Sequence, residues 1–241
     1  MRRRAMVSAG IMVMSAVVAC ASGASEDAPD PAGVTVVDIR SAVVPVLALA
    51  GPVAEALFES PVAAEFPWDE VPRTHLCQER DGSTLYAWVE GDGWMPADGD
   101  ARIVVRVPPG ASLLVQTRSA PVRMEGLAGV RCRLRTVSGA ITGSRVRLSG
   151  SSEFISESGS VEIGMSAGIE DYGFDLRSVS GTITVGRIRT ERGLLMGFGR
   201  TRVTARTGTG SLSFLSDTDA MAAPRQPAPV RSLLSGALLS P

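Results

Sequence analysis

Apolar and polar residues alternate along the chain from Thr84 onward, as in "TLYAWVEG" and "ARIVVRV". A period of two is typical of strands that bury one face. A short motif recurs within this region: Ser-Gly, then a small, an apolar and a polar residue. Its clearest copies are "SGAIT", "SGSVE" and "SGTIT". The pattern predicts an all-β domain over residues 84–216.

Five copies of the motif align on one corner position, and most neighbouring copies lie about twenty residues apart. The corner residues are Ala120, Gly139, Gly159, Gly181 and Gly210. Three positions earlier each copy has a hydroxyl residue: Thr117, Thr136, Ser156, Ser178 and Thr207. Two positions later each has an apolar residue: Val122, Ile141, Val161, Ile183 and Leu212. This agreement predicts that like positions lie above one another.

We therefore predict a parallel β-solenoid, a β-helix-like stack of about five coils of ~20 residues. In this interpretation the apolar rows fill the inside and the hydroxyl residues form a ladder. The glycines turn the corners with a positive φ. A string of antiparallel hairpins with Ser-Gly turns is the alternative, but hairpins do not require a constant interval.

The N-terminal part of the domain gives a weaker pattern, and we predict an irregular or mixed segment over residues 34–83. "VTVVDI", residues 34–39, is compatible with a strand. Pro45 and Pro52 interrupt the apolar stretch that follows. A continuous membrane helix is therefore not expected there.

The first residues have the pattern of an export signal. Three arginines precede the apolar stretch "AMVSAGIMVMSAVV", which is short for a membrane span. The segment ends in "VVAC", which resembles a bacterial lipoprotein signal and implies cleavage after residue 19 and lipidation of Cys20. An ordinary secretory signal is the alternative. We expect a flexible tether over residues 20–33 and a disordered Ala/Pro-rich tail over residues 217–241.

The repeated region resembles a known group of proteins. "ARIVVRVPPGASLLVQTRSAPVRMEGL", followed by "LRTVSGAITG", "SGSVEIG" and "VSGTITVG", is similar to the bacterial "putative adhesin" family of β-strand-repeat proteins. The resemblance covers about residues 101–215. It implies an exported, repetitive, adhesin-like β-domain, and it brings no catalytic residues. The first copy departs from the pattern at Ala120 and Pro121.

Two cysteines besides Cys20 require an interpretation. In an exported protein disulfides persist, so Cys77 and Cys132 are candidates for a bridge. Two separate buried thiols are the alternative, because an unbridged cysteine often packs as a small hydrophobic residue.

The sequence contains no recognisable catalytic or metal-binding pattern. His75 is the single histidine of the chain, and with Cys77 it lacks evident further metal ligands. Asp92 and Asp98 lie in a glycine-rich turn without the spacing of an EF-hand. The formal net charge of −1 gives no basic field for nucleic acid. We predict no enzyme activity, no cofactor and no nucleic-acid partner.

One interval between copies is longer than the others and contains "ERGLLMGFGRTR", residues 191–202. Its apolar residues are Leu194, Leu195, Met196 and Phe198. Insertions between repeats usually form loops on one face, so these residues are a candidate contact loop. An extra irregular coil that buries them is the alternative.

Together these observations predict a protein anchored by its lipid in the bacterial cell envelope, on the periplasmic side or at the cell surface. Its domain is expected to be a structural, adhesin-like or envelope-stress binding module with a protein or polysaccharide partner. A β-solenoid enzyme that acts on envelope polysaccharide is the alternative. A solenoid that assembles through its ends is a third hypothesis.

Overall fold

The structure, a computed structural model, describes residues 33–59, 75–90, 101–197 and 199–216. Strands and turns make up nearly all of these ranges. The strands of the first half are β1 (Val36–Ser41), β2 (Val46–Ala50), β3 (Glu55–Glu59), β4 (His75–Asp81), β5 (Thr84–Glu90), β6 (Arg102–Val107), β7 (Ser112–Thr117) and β8 (Val122–Glu125). Those of the second half are β9 (Ala128–Thr136), β10 (Ile141–Leu148), β11 (Ser151–Ser156), β12 (Val161–Met165), β13 (Tyr172–Val185), β14 (Ile188–Met196), β15 (Thr201–Thr207) and β16 (Leu212–Ser216). Within the described ranges, no helix has the length and apolar character needed to span a membrane.

The all-β prediction is confirmed, but the predicted open solenoid stack is wrong. Seven parallel strands close into a β-barrel in the order β9, β10, β12, β16, β13, β15 and β11, and further strands lie outside this ring. Two features close it. Strand β13 has 14 residues, so it pairs with β15 along its first half and with β16 along its second. On the other side β9 pairs directly with β10.

The aligned apolar positions lie on adjacent parallel strands, but not in chain order. From strand to strand the register runs through Val122, Ile141, Val161, Leu212 and Ile183. Strand β15 therefore lies between β11 and β13, and β16 lies between β12 and β13. The last two strands of the chain fill a gap that the preceding strands leave open.

The prediction of an irregular N-terminal segment is wrong for residues 36–50. Strand β1 pairs in parallel with β5 and β7, and β2 pairs in parallel with β6 and β8. The turn between them repeats the hydroxyl motif of the aligned corners. The Ser41 hydroxyl donates to the Val44 carbonyl at 2.8 Å and accepts from the Val44 N–H at 3.0 Å.

The corners have a structure different from the one predicted. Gly139, Gly159, Gly181 and Gly210 are not among the glycines with positive φ. They are required by close approach, because a Cβ at Gly159 would overlap the Gly139 carbonyl and one at Gly210 would overlap the Gly159 carbonyl. Adjacent corners thus touch backbone to backbone.

At each of the four glycine corners the hydroxyl residue bonds both its own turn and a neighbouring corner. The Gly159 N–H donates to Ser156 Oγ at 2.7 Å, and the Gly210 N–H donates to Thr207 Oγ1 at 3.0 Å. The Thr207 hydroxyl in turn donates to the Gly159 carbonyl at 3.1 Å. Each such bond stabilises the fold by about 0.5–1.5 kcal/mol net. The buried hydroxyl ladder inferred from the sequence is present.

Aromatic and aliphatic side chains fill the interior. Phe214 lies at the centre of an aromatic group, with its ring centroid 5.4 Å from that of Phe174 and 6.0 Å from that of Phe154. Tyr172 extends the group, 6.1 Å from Phe174. These side chains are essentially inaccessible to solvent, so the seven-stranded ring encloses a packed core and not a channel.

Antiparallel strands lie outside the parallel strands. Strand β3 pairs with β6 and β4 pairs with β5, so β3 and β4 form the two ends of the strand order. Strand β14 pairs with β13 outside this order.

Candidate binding groove

A concavity with a volume of about 870 Å³ lies on the outer face of β5, β1 and β7. We call it the β1 groove and define it by Asp38, Arg40, Tyr86, Trp88 and Gln116. The volume lies within the ~300–1,000 Å³ typical of small-molecule sites.

Strand alternation explains why these side chains share one face. Val37 and Ile39 belong to the buried core, so Asp38 and Arg40 on β1 lie on the opposite side. Leu85 and Ala87 are core residues of β5, which places Tyr86 and Trp88 on the outside.

The register of the three strands brings these residues into two rows across the sheet. Asp38 lies between Tyr86 on β5 and Leu114 on β7. Arg40 lies between Trp88 and Gln116 in the next row.

Asp38 is the most unusual residue of the groove. It is only 8% exposed, although it lies on the outer face of the sheet. Its Oδ2 accepts a bond from Arg40 Nη2 at 3.3 Å. Its Oδ1 is buried without a hydrogen-bond partner, the one such side-chain atom found in the described ranges. A buried acceptor without a donor costs about 1–3 kcal/mol.

Other carboxylates on the same face of the sheet are better partnered. Glu153 lies 3.4 Å from Arg133 and 3.3 Å from Arg135. Asp175 lies between two arginines of its own, Arg177 at 3.4 Å and Arg202 at 3.7 Å. The incomplete partnering of Asp38 is therefore a property of the groove and not of the sheet.

The rest of the groove combines aromatic, acidic and basic groups. The Trp88 indole N–H donates to Glu90 Oε1 at 2.7 Å, which restricts the orientation of the ring. Glu79 and Asp81 on β4 contribute carboxylates, and Arg118 contributes a guanidinium at the corner after β7. Both signs of charge therefore line one groove that contains two aromatic rings.

The two cysteines named as candidates for a bridge are not brought together. Cys77 lies on β4 and Cys132 on β9, with β5, β1 and β7 between them, and they form no disulfide. Four strand spacings of ~4.8 Å are far longer than a disulfide allows. Cys132 is fully buried, and burial raises the pKa of its thiol to about 12. Cys77 is partly exposed.

Three residues of the predicted contact loop lie on strand β14. Leu194 and Met196 are half-buried and pack against the core, whereas Leu195 is 80% exposed. The side chain of Phe198 lies outside the described residues. Leu194 and Met196 therefore lie on one face of β14, and Leu195 lies on the other.

Several other residues considered as site residues in the sequence have no structural support or lie outside the described residues. Cys20, Asp92 and Asp98 lie outside the described ranges. His75 begins β4, and its side chain is not described. No group of three or more His, Cys, Asp or Glu residues in the described ranges is arranged to hold a metal ion.

The β1 groove was not predicted from the sequence. The signals were present: Tyr86 and Trp88 are two aromatics spaced i, i+2 on a strand with one buried face, and Asp38 interrupts the apolar run "VTVVDI". What the sequence lacked was the pairing of β1 with β5 and β7, which alone brings these residues together.

Comparisons with known proteins give little further guidance. No family model matches the chain, and no curated protein matches it. One solved structure that is similar, a "putative cell adhesion protein" from Clostridium sporogenes, has 8% identity and a TM-score of 0.46. The alignment covers 78% of this chain and 96% of that one. Such a distant likeness supports no statement about function, and membership of the adhesin family stays a prediction.

Proposed function

We propose that this chain is a lipid-anchored protein of the bacterial cell envelope whose β-domain is a non-catalytic binding module, with the β1 groove as its contact site. The observation that carries the proposal is Asp38, whose buried Oδ1 lacks a donor inside a groove lined by Tyr86 and Trp88. Buried polar groups in native proteins nearly always have partners, so an exception inside a concavity indicates a ligand site.

The anchoring part of the proposal rests on the N-terminal sequence. "VVAC" places a cysteine directly after an apolar segment and small residues. Several acyl chains on Cys20 would hold the domain at a membrane, since each buried CH₂ contributes ~0.8 kcal/mol. We expect the Cys20→Ser variant to lose acyl labelling and to leave the membrane fraction. Unchanged labelling and unchanged membrane retention would contradict the anchoring hypothesis.

The binding part is tested with the domain without its signal, mixed with isolated envelope material in a sedimentation assay. We expect the wild-type domain to co-sediment and the Trp88→Ala variant to co-sediment at least about tenfold more weakly. Asp175→Asn is the matched control, because it changes a carboxylate on the same face of the sheet but distant from the groove. Equal retention of all three proteins would refute the groove as the contact site.

The polysaccharide-acting enzyme stays as a second hypothesis, because three carboxylates, those of Asp38, Glu79 and Asp81, line the same groove. Glycosidases use pairs of carboxylates. The discriminating measurement is the release of soluble saccharides from envelope material during prolonged incubation. Release that stops in the Asp38→Asn variant would replace the binding module with an enzyme.

A further inference from the structure

We propose that the β1 groove binds a neutral saccharide, with sugar rings against Tyr86 and Trp88 and a sugar hydroxyl donating to Asp38 Oδ1. This inference rests on the proposed binding function and names the ligand class for the same groove.

The aromatic side chains supply an apolar surface of the required shape. Tyr86 and Trp88 project from one face of β5 and are each partly exposed in the groove. A pyranose ring has an apolar C–H face that packs on such rings, whose edges and faces carry complementary partial charges. The bond from the indole N–H to Glu90 holds the Trp88 ring before a ligand arrives, which lowers the entropy cost of binding.

The groove contains charges of both signs, which favours neither an anionic nor a cationic ligand. An anionic ligand would lie beside the carboxylates of Asp38, Glu79 and Asp81. A cationic ligand would meet the guanidinium groups of Arg40 and Arg118. A neutral ligand that both donates and accepts hydrogen bonds can use every one of these groups, and polyhydroxylated sugars have that property.

Asp38 sets the requirement for a donor. Its Oδ2 is already bonded to Arg40, and its Oδ1 is an acceptor without a hydrogen. Because Oδ1 is buried, a ligand group reaches it only if a neighbouring side chain moves on binding; the side chain of Arg40, bonded to the same carboxylate, is 63% exposed and has room to move. A sugar hydroxyl would donate to Oδ1 without adding a charge to the groove. Charge-assisted bonds of this kind are among the stronger hydrogen bonds in proteins.

The test is calorimetric titration of the domain with neutral tetrasaccharides: cellotetraose, maltotetraose, mannotetraose and tetra-N-acetylchitotetraose. The comparators of similar length are fully deacetylated chitotetraose, which is cationic, and a sulfated heparin tetrasaccharide, which is anionic. We expect at least one neutral probe to bind, and both charged comparators to bind at least about tenfold more weakly than that probe.

Two variants connect any binding to the groove. Trp88→Ala and Asp38→Asn should each weaken binding of the neutral probe by at least about tenfold. Asp175→Asn is the matched control, a carboxylate on the same face of the sheet but distant from the groove, and it should bind like the wild type. A thermal melt of each variant establishes that it is folded.

The results separate this inference from the proposed function. Absence of binding to all neutral probes, preference for a charged comparator, or binding that neither groove variant weakens would overturn the saccharide assignment. If envelope co-sedimentation still depends on Trp88 in that case, the binding module stands with another ligand class. If co-sedimentation is also insensitive to Trp88, both proposals fail.

Discussion

The corner column, formed by the adjacent turns at Gly139, Gly159, Gly181 and Gly210, and the β1 groove both bury polar groups in the same sheet. The corner column satisfies their hydrogen bonds, whereas the groove leaves one acceptor without a donor. At the corners Ser156 and Thr207 each accept one bond and donate another, so little hydrogen-bonding capacity is left unused. In the groove Asp38 buries a carboxylate oxygen without a donor. Satisfied polar groups specify the register of a fold, whereas an unsatisfied one lowers its stability and, under the proposal above, is available to a ligand.

The strongest test of the corner column is Gly159→Ala. The new Cβ would overlap the Gly139 carbonyl, which belongs to the backbone and cannot rotate away. We expect a loss of unfolding free energy of roughly 3 kcal/mol or more, at the upper end of overpacking effects. Chemical denaturation measures it.

Gly164→Ala is the control for that substitution, because a Cβ there would meet its nearest atom at an ordinary 3.4 Å. It should change stability by less than about 0.5 kcal/mol. Equal effects at Gly159 and Gly164 would mean that the corners are not in backbone contact.

A second test contrasts the polar groups themselves. Ser156→Ala leaves the buried Gly159 N–H without its acceptor, and we expect a loss of about 1–3 kcal/mol. Asp38→Asn removes a charge that is poorly partnered and should leave the unfolding free energy unchanged or slightly higher. Denaturation curves of the two variants give the comparison. A larger loss for Asp38→Asn than for Ser156→Ala would show that Asp38 is a structural residue.

The last test concerns the thiol of Cys132 in the interior behind these strands. Because the Cys132 thiol has a pKa of about 12 when folded, against 9.0 as its ordinary value, the unfolded chain loses its thiol proton first. The buried, protonated Cys132 thiol therefore makes its full contribution to the unfolding free energy below pH 9, and this contribution declines between pH 9 and 12. We expect about 1.4 kcal/mol less stability at pH 10 than at pH 8 from this group.

Denaturation at the two pH values, compared with Cys132→Ala, isolates the contribution of the thiol. The variant should lose less stability than the wild type between pH 8 and pH 10. An identical decline in both proteins would indicate that Cys132 ionises in the folded state.

The sequence allowed some of these features to be predicted and concealed others for physical reasons. Period-two alternation and the hydroxyl rows identified strands, buried positions and the Ser156–Gly159 type of corner. The spatial order was hidden, because Leu212 has the same apolar character as its neighbours and nothing local shows that it lies between Val161 and Ile183. The ring closes through the pairing of β9 with β10, and no single residue of either strand identifies this pairing in the sequence.

The candidate site was less predictable than the fold. Asp38 lies on β1, whereas Gln116 is on β7, and the strands become neighbours only when residues far apart in the chain pair. An Asp in a short strand ordinarily points to water, so its burial could not be inferred from alternation. Aromatic spacing on β5 was visible, but strand aromatics pack on a sheet surface often enough that the spacing alone does not indicate binding.

The interleaved position of the first and last strands has a consequence for how the chain folds. Strands β1 and β2 reach their place only after β5 to β8 have been synthesised, and β15 and β16 complete the ring last. Pairings over such distances raise the contact order and slow folding, because the entropy of closing long loops is lost before native contacts form. We therefore expect the emerging chain to stay largely unfolded until its last strands have been synthesised.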